Sequence, residues 1–140
     1  MSDVFDTATR SRVMSLIRSK DTNPEMIVRR HFHGAGLRFR LHNNMLPGKP
    51  DLVLRRHRAV IFVHGCFWHQ HPGCRYAVMP KQNQLYWREK LMGNRARDEE
   101  RITELEAQGW RVFVVWECEL TRERLDMLVH DVSGVRNLDY

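Results

Sequence analysis

The sequence predicts a single α/β domain built as a mixed β-sheet flanked by helices. Three observations lead there. The chain has 140 residues, which suits one domain and hardly allows two. Its helix and strand patterns alternate in the order α-α-β-β-β-α-β-α, which places helices against a sheet. Two strand segments, 59–63 and 110–116, are almost unbroken apolar runs, the pattern of buried strands.

The elements follow in order. Thr9 or Ser11 caps a basic helix reaching about Arg18, in which Val13, Met14, Leu16 and Ile17 form an apolar cluster among Arg10, Arg12 and Arg18. A second helix starts with Asn23 as cap and Pro24 at the first helical position. Apolar Ile27, Val28 and Phe32 follow, and Gly34/Gly36 end the helix. Residues 37–41 alternate Leu37, Phe39 and Leu41 with Arg38 and Arg40, a strand pattern. Leu46-Pro47-Gly48-Lys49-Pro50 is a turn. Residues 51–54 form a strand, 55–58 turn, and 59–63 continue as a buried strand. Residues 64–84 read as a loop. Residues 84–108 look helical, with a break expected near Gly93-Asn94 and Gly109 as the C-cap. The run 110–116 has the composition of a central strand. Residues 121–132 form a last helix, and 133–140 a loose tail.

Hydrophobic residues make up 42% of the chain and charged residues 29%, the balance of a soluble globular protein. No segment approaches the roughly 18–20 apolar residues of a membrane span. The opening Met1-Ser2-Asp3-Val4-Phe5-Asp6 lacks a signal peptide's apolar run, so a cytoplasmic protein is expected. The net charge is +6, and nucleic acid is the commonest partner of such an excess. Residues 1–43 hold eight Lys/Arg and four Asp/Glu, while the remaining chain holds fifteen and thirteen. The first third, above all residues 1–20, is therefore the expected backbone-contacting arm.

The three cysteines are Cys66, Cys74 and Cys118, an odd count that argues against a disulfide framework. The segment Cys66-Phe67-Trp68-His69-Gln70-His71-Pro72-Gly73-Cys74 concentrates thiols and imidazoles. With Cys118 it offers Cys66, His71, Cys74 and Cys118 as a closed set of four for Zn²⁺, and His69 is an alternative to His71. Such a site has no open position and would be structural, tying the loop to a distant strand end.

A second set carries chemistry. Pro50-Asp51 opens one strand, and the next ends at Val63-His64, so adjacent strands bring Asp51 beside residues 62–64. A carboxylate there can hold Mg²⁺, which keeps several waters and assists phosphodiester hydrolysis. His64 and His69 are the candidates for proton transfer. Glu25 can complete the carboxylate set, and Asp98 can orient a histidine. Phe67 and Trp68 share the polar loop and can stack on bases or wedge between them. Trp87 lies nearby, and Met14 and Ile17 can wedge from the minor groove. Trp110 and Trp116 are read as core.

Together these residues resemble the very-short-patch repair (Vsr) endonucleases. The likeness runs through Thr9-Arg10-Ser11, Leu46-Pro47-Gly48-Lys49-Pro50-Asp51, Val60-Ile61-Phe62-Val63-His64-Gly65-Cys66-Phe67-Trp68-His69, Gly109-Trp110-Arg111-Val112 and Val115-Trp116-Glu117-Cys118, about residues 3–132. It implies a restriction-endonuclease-like fold and Mg²⁺-dependent nicking of one DNA strand, 5′ to the T of a T:G mismatch left by 5-methylcytosine deamination. It further implies Asp51 as the metal carboxylate, the Val63 backbone carbonyl as a metal contact, and His69 as the base. Glu25, His64 and Asp98 support the site, and Cys66, His71, Cys74 and Cys118 hold the zinc. Phe67, Trp68 and Trp87 intercalate, with the N-terminal helix in the minor groove. The implied setting is a monomer on nucleoid DNA in a bacterial cytoplasm, with mismatch-repair proteins as partners. Two other readings stand beside it: a restriction-like nuclease without mismatch preference, and a zinc-stabilised DNA-binding module without catalysis. A zinc metalloprotease is excluded in its commonest form, since no His-Glu-x-x-His occurs.

Overall fold

The computed structural model describes residues 22–134. Helix α1 (Asn23–Gly34) begins at Thr22, whose hydroxyl accepts the Glu25 N–H at 3.4 Å. The cap is thus Thr22 and not the expected Asn23, and Pro24 still falls in the first turn, where its missing N–H costs nothing. Gly36, at φ +82°, makes the left-handed turn after the helix.

Four strands form one mixed sheet in the order β1 (Arg40–Leu41), β2 (Leu52–Leu54), β3 (Ala59–His64) and β4 (Arg111–Trp116). β1 and β2 are antiparallel, as are β2 and β3; β3 and β4 are parallel, with His64 beside Trp116. The start of β2 and the ends of β3 and β4 therefore lie at the same end of the sheet. β1 is shorter than the expected strand over 37–41. Its partner β2 gives way to a 3-10 turn at Arg55–His57, and the Leu37 N–H is spent on the Phe32 carbonyl. Leu37 and Phe39 still pack on the core.

The crossover from β3 to β4 carries α2 (Gln84–Ala107), and α3 (Arg122–Ser133) closes the fold behind its cap Thr121. The expected break at Gly93-Asn94 is absent. One interior glycine costs only about 1 kcal/mol, and Leu91 is buried while the Asn94 amide donates to the Trp68 carbonyl at 3.1 Å. The helix caps at Gln108, and Gly109 follows at φ +89°. Ser133, expected in the tail, is helical, with its hydroxyl on the Val129 carbonyl.

Alternation along the strands splits the core into two layers. Leu52, Leu54, Ala59, Ile61 and Val115 pack against Val28 and Phe32 of α1 and Leu125, Leu128 and Val132 of α3. Val53, Val60 and Phe62 pack with Trp110 and Leu105 of α2. Each fully buried Leu, Ile or Phe contributes about 1.5–3 kcal/mol. β4 is an edge strand among the described residues, not the expected central one. Its apolar run arises because Val112 and Val114 face α2 while Phe113 and Val115 face the other layer. The expected N-terminal helix, with Met14 and Ile17, lies outside the described residues, as do 135–140. No described helix is long and apolar enough to cross a membrane.

Candidate active site and metal centre

The shared end of β2, β3 and β4 gathers the polar residues. Register places Leu52 opposite Ile61, so Asp51 falls just beyond the ladder, and its Oδ2 accepts the Val63 N–H at 2.7 Å. Glu25, in the first turn of α1, is 1% exposed. One donor atom each from Glu25, His42 and Asp51 lie within 4.8 Å of one another. His42 Nε2 donates to Glu25 Oε2 at 2.7 Å, and Arg29 lies 3.3 Å from the same oxygen. Burial raises the Asp51 carboxyl to about 6, and the Glu25 charge adds to the rise against the lowering Val63 N–H. A buried and a half-buried carboxylate side by side, the second reluctant to ionise, suit a hard divalent cation with oxygen ligands.

The alternation that sends Val60 and Phe62 towards α2 sends His64 there too. His64 stacks on His69 at 3.8 Å between ring centres and 6° between planes. His69 Nδ1 donates to Asp98 Oδ2 at 2.5 Å. Asp98 comes from a charged stretch of α2 whose pattern reads as a solvated face, yet its side chain turns onto the imidazole. Burial lowers His64 to about 4, and the neighbouring His69 adds to the effect. Its Nδ1 is buried without a hydrogen-bond partner among the described residues, which fits a neutral ring at pH 7. An imidazole oriented by a carboxylate, beside a pair of carboxylates that could hold a cation, has the parts of a hydrolytic site.

The loop after β3 carries the thiols. Donor atoms of Cys66, His71, Cys74 and Cys118 lie within 4.8 Å of one another. His71 Nδ1 is 3.4 Å from Cys118 Sγ and 3.7 Å from Cys66 Sγ. A tetrahedron with Zn–S of about 2.3 Å and Zn–N of about 2.0 Å has S···N edges of about 3.5 Å. The set fits zinc on these distances. Burial pushes the Cys66 thiol up to about 12 against the lowering Cys118 backbone N–H, with the Cys118 and Cys74 thiols adding to the rise, a cost that a bound cation would offset. Of the two histidines open at the sequence level, His71 joins the thiols and His69 joins Asp98. Trp116, read as core, stacks on His71 at 4.1 Å and meets His64 edge-on at 5.1 Å. It links the thiol cluster to the imidazole pair.

Phe67, Trp68 and Trp87 form one aromatic group, with centres 5.2 Å apart for Phe67–Trp68 and 5.7 Å for Phe67–Trp87. Phe67 and Trp68 are half-buried, while Trp87 is buried. Sequence reasoning missed three contributors. Glu117 Oε1 accepts the Cys66 N–H at 2.9 Å and pins the loop to the end of β4; its place between Trp116 and Cys118 was the available signal. Asn94 holds the Trp68 carbonyl from α2. His42 gave no signal at all, because its position depends on β1 register.

Comparison with known proteins gives the family. Residues 2–75 match the family described as DNA mismatch endonuclease Vsr. The chain belongs to that family, a class of DNA endonucleases. It is 50% identical over 121 residues to the type II nicking enzyme V.XorIIP of Xanthomonas oryzae pv. oryzae, covering 86% of this chain and 88% of that one. It is 45% identical over 138 residues to the type II nicking enzyme V.NmeAIP of Neisseria meningitidis, covering 95% and 98%. The DNA mismatch endonuclease Vsr of Escherichia coli is 45% identical over 126 residues, covering 89% and 80%.

Proposed function

We propose that the protein nicks one strand of duplex DNA on the 5′ side of the T in a T:G mismatch, the product of 5-methylcytosine deamination, and so starts very-short-patch repair. One observation carries this reading. A single cavity of about 670 Å³ is lined by Glu25, Asp51, His69 and Asp98 and also by Phe67 and Trp68. Hydrolytic groups and a ring platform open on the same space. Relatives named as nicking enzymes support cutting of one strand, and the Escherichia coli relative supports a mispaired substrate.

Mg²⁺ held by Asp51, with the Val63 carbonyl and Glu25 alongside, would polarise the phosphoryl oxygen and stabilise the leaving oxygen. Because His69 gives its Nδ1–H to Asp98, its Nε2 is left to take a proton from the attacking water. The water oxygen bonds to phosphorus as the bond to the leaving sugar oxygen breaks. Asp98 fixes the tautomer, and neutral His64 holds the His69 ring from below. Phe67 and Trp68 wedge at the mismatch, with Trp87 against them; a T:G pair costs less to unstack than a matched one. Cys66, His71, Cys74 and Cys118 would hold a Zn²⁺ that ties the loop to the end of β4. Residues 1–20, with Met14 and Ile17, grip the backbone and minor groove. The proposal includes a restriction-endonuclease-like fold, one domain over residues 1–140, and a monomer acting in the bacterial cytoplasm on nucleoid DNA with mismatch-repair proteins as partners.

The test is strand-resolved mapping of the nick on labelled duplexes carrying one T:G pair in several methyltransferase-site contexts, beside matched controls. A single nick 5′ to the mismatched T supports the proposal. Equal cutting of matched duplex would favour a restriction-like nuclease without mismatch preference. Binding without any cutting would leave a zinc-stabilised DNA-binding module.

A further inference from the structure

We infer that His42 is a positioning residue that sets the spacing of the Glu25 and Asp51 carboxylates and thereby the affinity of the catalytic cation site. This rests on the reading of Asp51 as the metal carboxylate.

The geometry begins in the backbone. β1 pairs with β2 so that Leu41 faces Leu52, which puts His42 across from Asp51. The His42 N–H donates to the Asp51 carbonyl at 3.2 Å, one step past the ladder. His42 has φ +46°, a left-handed conformation uncommon for a residue with a side chain. Such a conformation persists where its surroundings hold it, and it recurs at functional sites.

Its imidazole then reaches a different element. Nε2 donates to Glu25 Oε2 at 2.7 Å, and that carboxylate is 2% exposed. His42 therefore grips β2 through its main chain and α1 through its ring. These are the two elements that carry the carboxylates, and they are distant in sequence. Fixing both from one residue fixes the gap between Glu25 and Asp51. His42 also lines a cavity with Asp51, His64, His69 and Asp98, so the contact borders the reacting space.

Partners of metal-binding carboxylates typically change metal affinity by about 10–100-fold when removed. A glutamine at 42 can place its amide Nε2 near the imidazole Nε2 and donate the same hydrogen bond. Asparagine is one bond too short.

The experiment compares wild type with His42→Ala, His42→Gln and His42→Asn in the full chain. Two readouts are taken: the Mg²⁺ concentration for half-maximal nicking, and the rise in Tm on adding Ca²⁺ or Mg²⁺ without DNA. His42→Ala and His42→Asn are expected to raise the half-saturating Mg²⁺ about tenfold or more and to shrink the metal-induced Tm rise. His42→Gln should return both to within about threefold of wild type. The maximal rate at saturating Mg²⁺ should change less than the half-saturation value. Unchanged metal response in His42→Ala would overturn the inference. So would equal damage in His42→Gln and His42→Asn, which remains decisive if His42→Ala does not fold. A wild-type protein indifferent to Mg²⁺ in both readouts would instead overturn the metal reading itself, and this inference with it.

Discussion

His69 and Asp98 are joined across 29 residues by a 2.5 Å hydrogen bond from imidazole Nδ1 to carboxylate Oδ2. The bond decides which ring nitrogen is free. In Asp98→Asn the amide can present an N–H to Nδ1 and favour the opposite tautomer, with the proton on Nε2. The single-turnover nicking rate should fall by roughly 10²–10⁴-fold, as for loss of a general base, while duplex affinity stays near wild type. His69→Ala should lose a similar factor, and the double variant little more. Rapid-quench cleavage with anisotropy binding checks this; full additivity would argue that the two residues act separately.

The Asp51 carboxyl is raised from 3.8 to about 6 by burial and by Glu25. The folded state holds this proton more tightly than the unfolded one. The associated stability is complete below the ordinary carboxylate range and is lost as pH rises through about 6. A cation replaces the proton only above that range. The Mg²⁺-induced rise in Tm should therefore be small at pH 5 and grow through pH 6 to 7. Asp51→Asn should lose most of it at every pH. Differential scanning fluorimetry across pH checks both arms.

The thiol cluster predicts one Zn²⁺ per chain. Cys118→Ser removes the proposed ligand at the end of β4, so zinc content should fall well below one. A chelator should lower the wild-type Tm and leave the already lowered Tm of Cys118→Ser nearly unchanged. Elemental analysis of purified protein beside a chelator-treated melt provides the check.

Trp68, half-buried like Phe67, is held by Asn94 through its own carbonyl. Trp68→Ala should weaken binding to T:G duplex by about 1–3 kcal/mol, the worth of one base–aromatic stack. Matched duplex should lose less. A fluorescent adenine analogue beside the mismatch should brighten on binding wild type and respond weakly to the variant.

Much of this fold is legible in the sequence because periodicity and turn residues report burial directly. The Pro24 helix start, the apolar run of β3 and the Thr121–Val132 region all read correctly to within a residue or two. The errors have separate physical causes. The short β1 reflects a partner strand that ends early, which no local pattern encodes. The assignment of β4 to the sheet centre confused apolar packing on both faces, most of it partial, with central position. The expected break at Gly93 weighed a local propensity against tertiary contacts that outweigh it. At the site, Cys66, His71 and Cys74 stand close together in sequence, so their cluster is visible in advance. His42 and Glu25 meet only through register and helix packing, and their pairing is invisible until the chain is folded. The choice between His69 and His71 turned on Asp98, a residue whose surroundings in α2 look solvated.

The most direct measurement of the central claim is single-turnover nicking of one end-labelled T:G duplex by wild type and Asp51→Asn across a Mg²⁺ titration, with binding followed in parallel. The account predicts a Mg²⁺-dependent nick by wild type and a loss of roughly 10³-fold or more in Asp51→Asn at intact affinity, since on the proposed mechanism this carboxylate would hold the ion that stabilises the leaving oxygen. Undiminished nicking by Asp51→Asn, or nicking by wild type in the absence of any divalent cation, would contradict it.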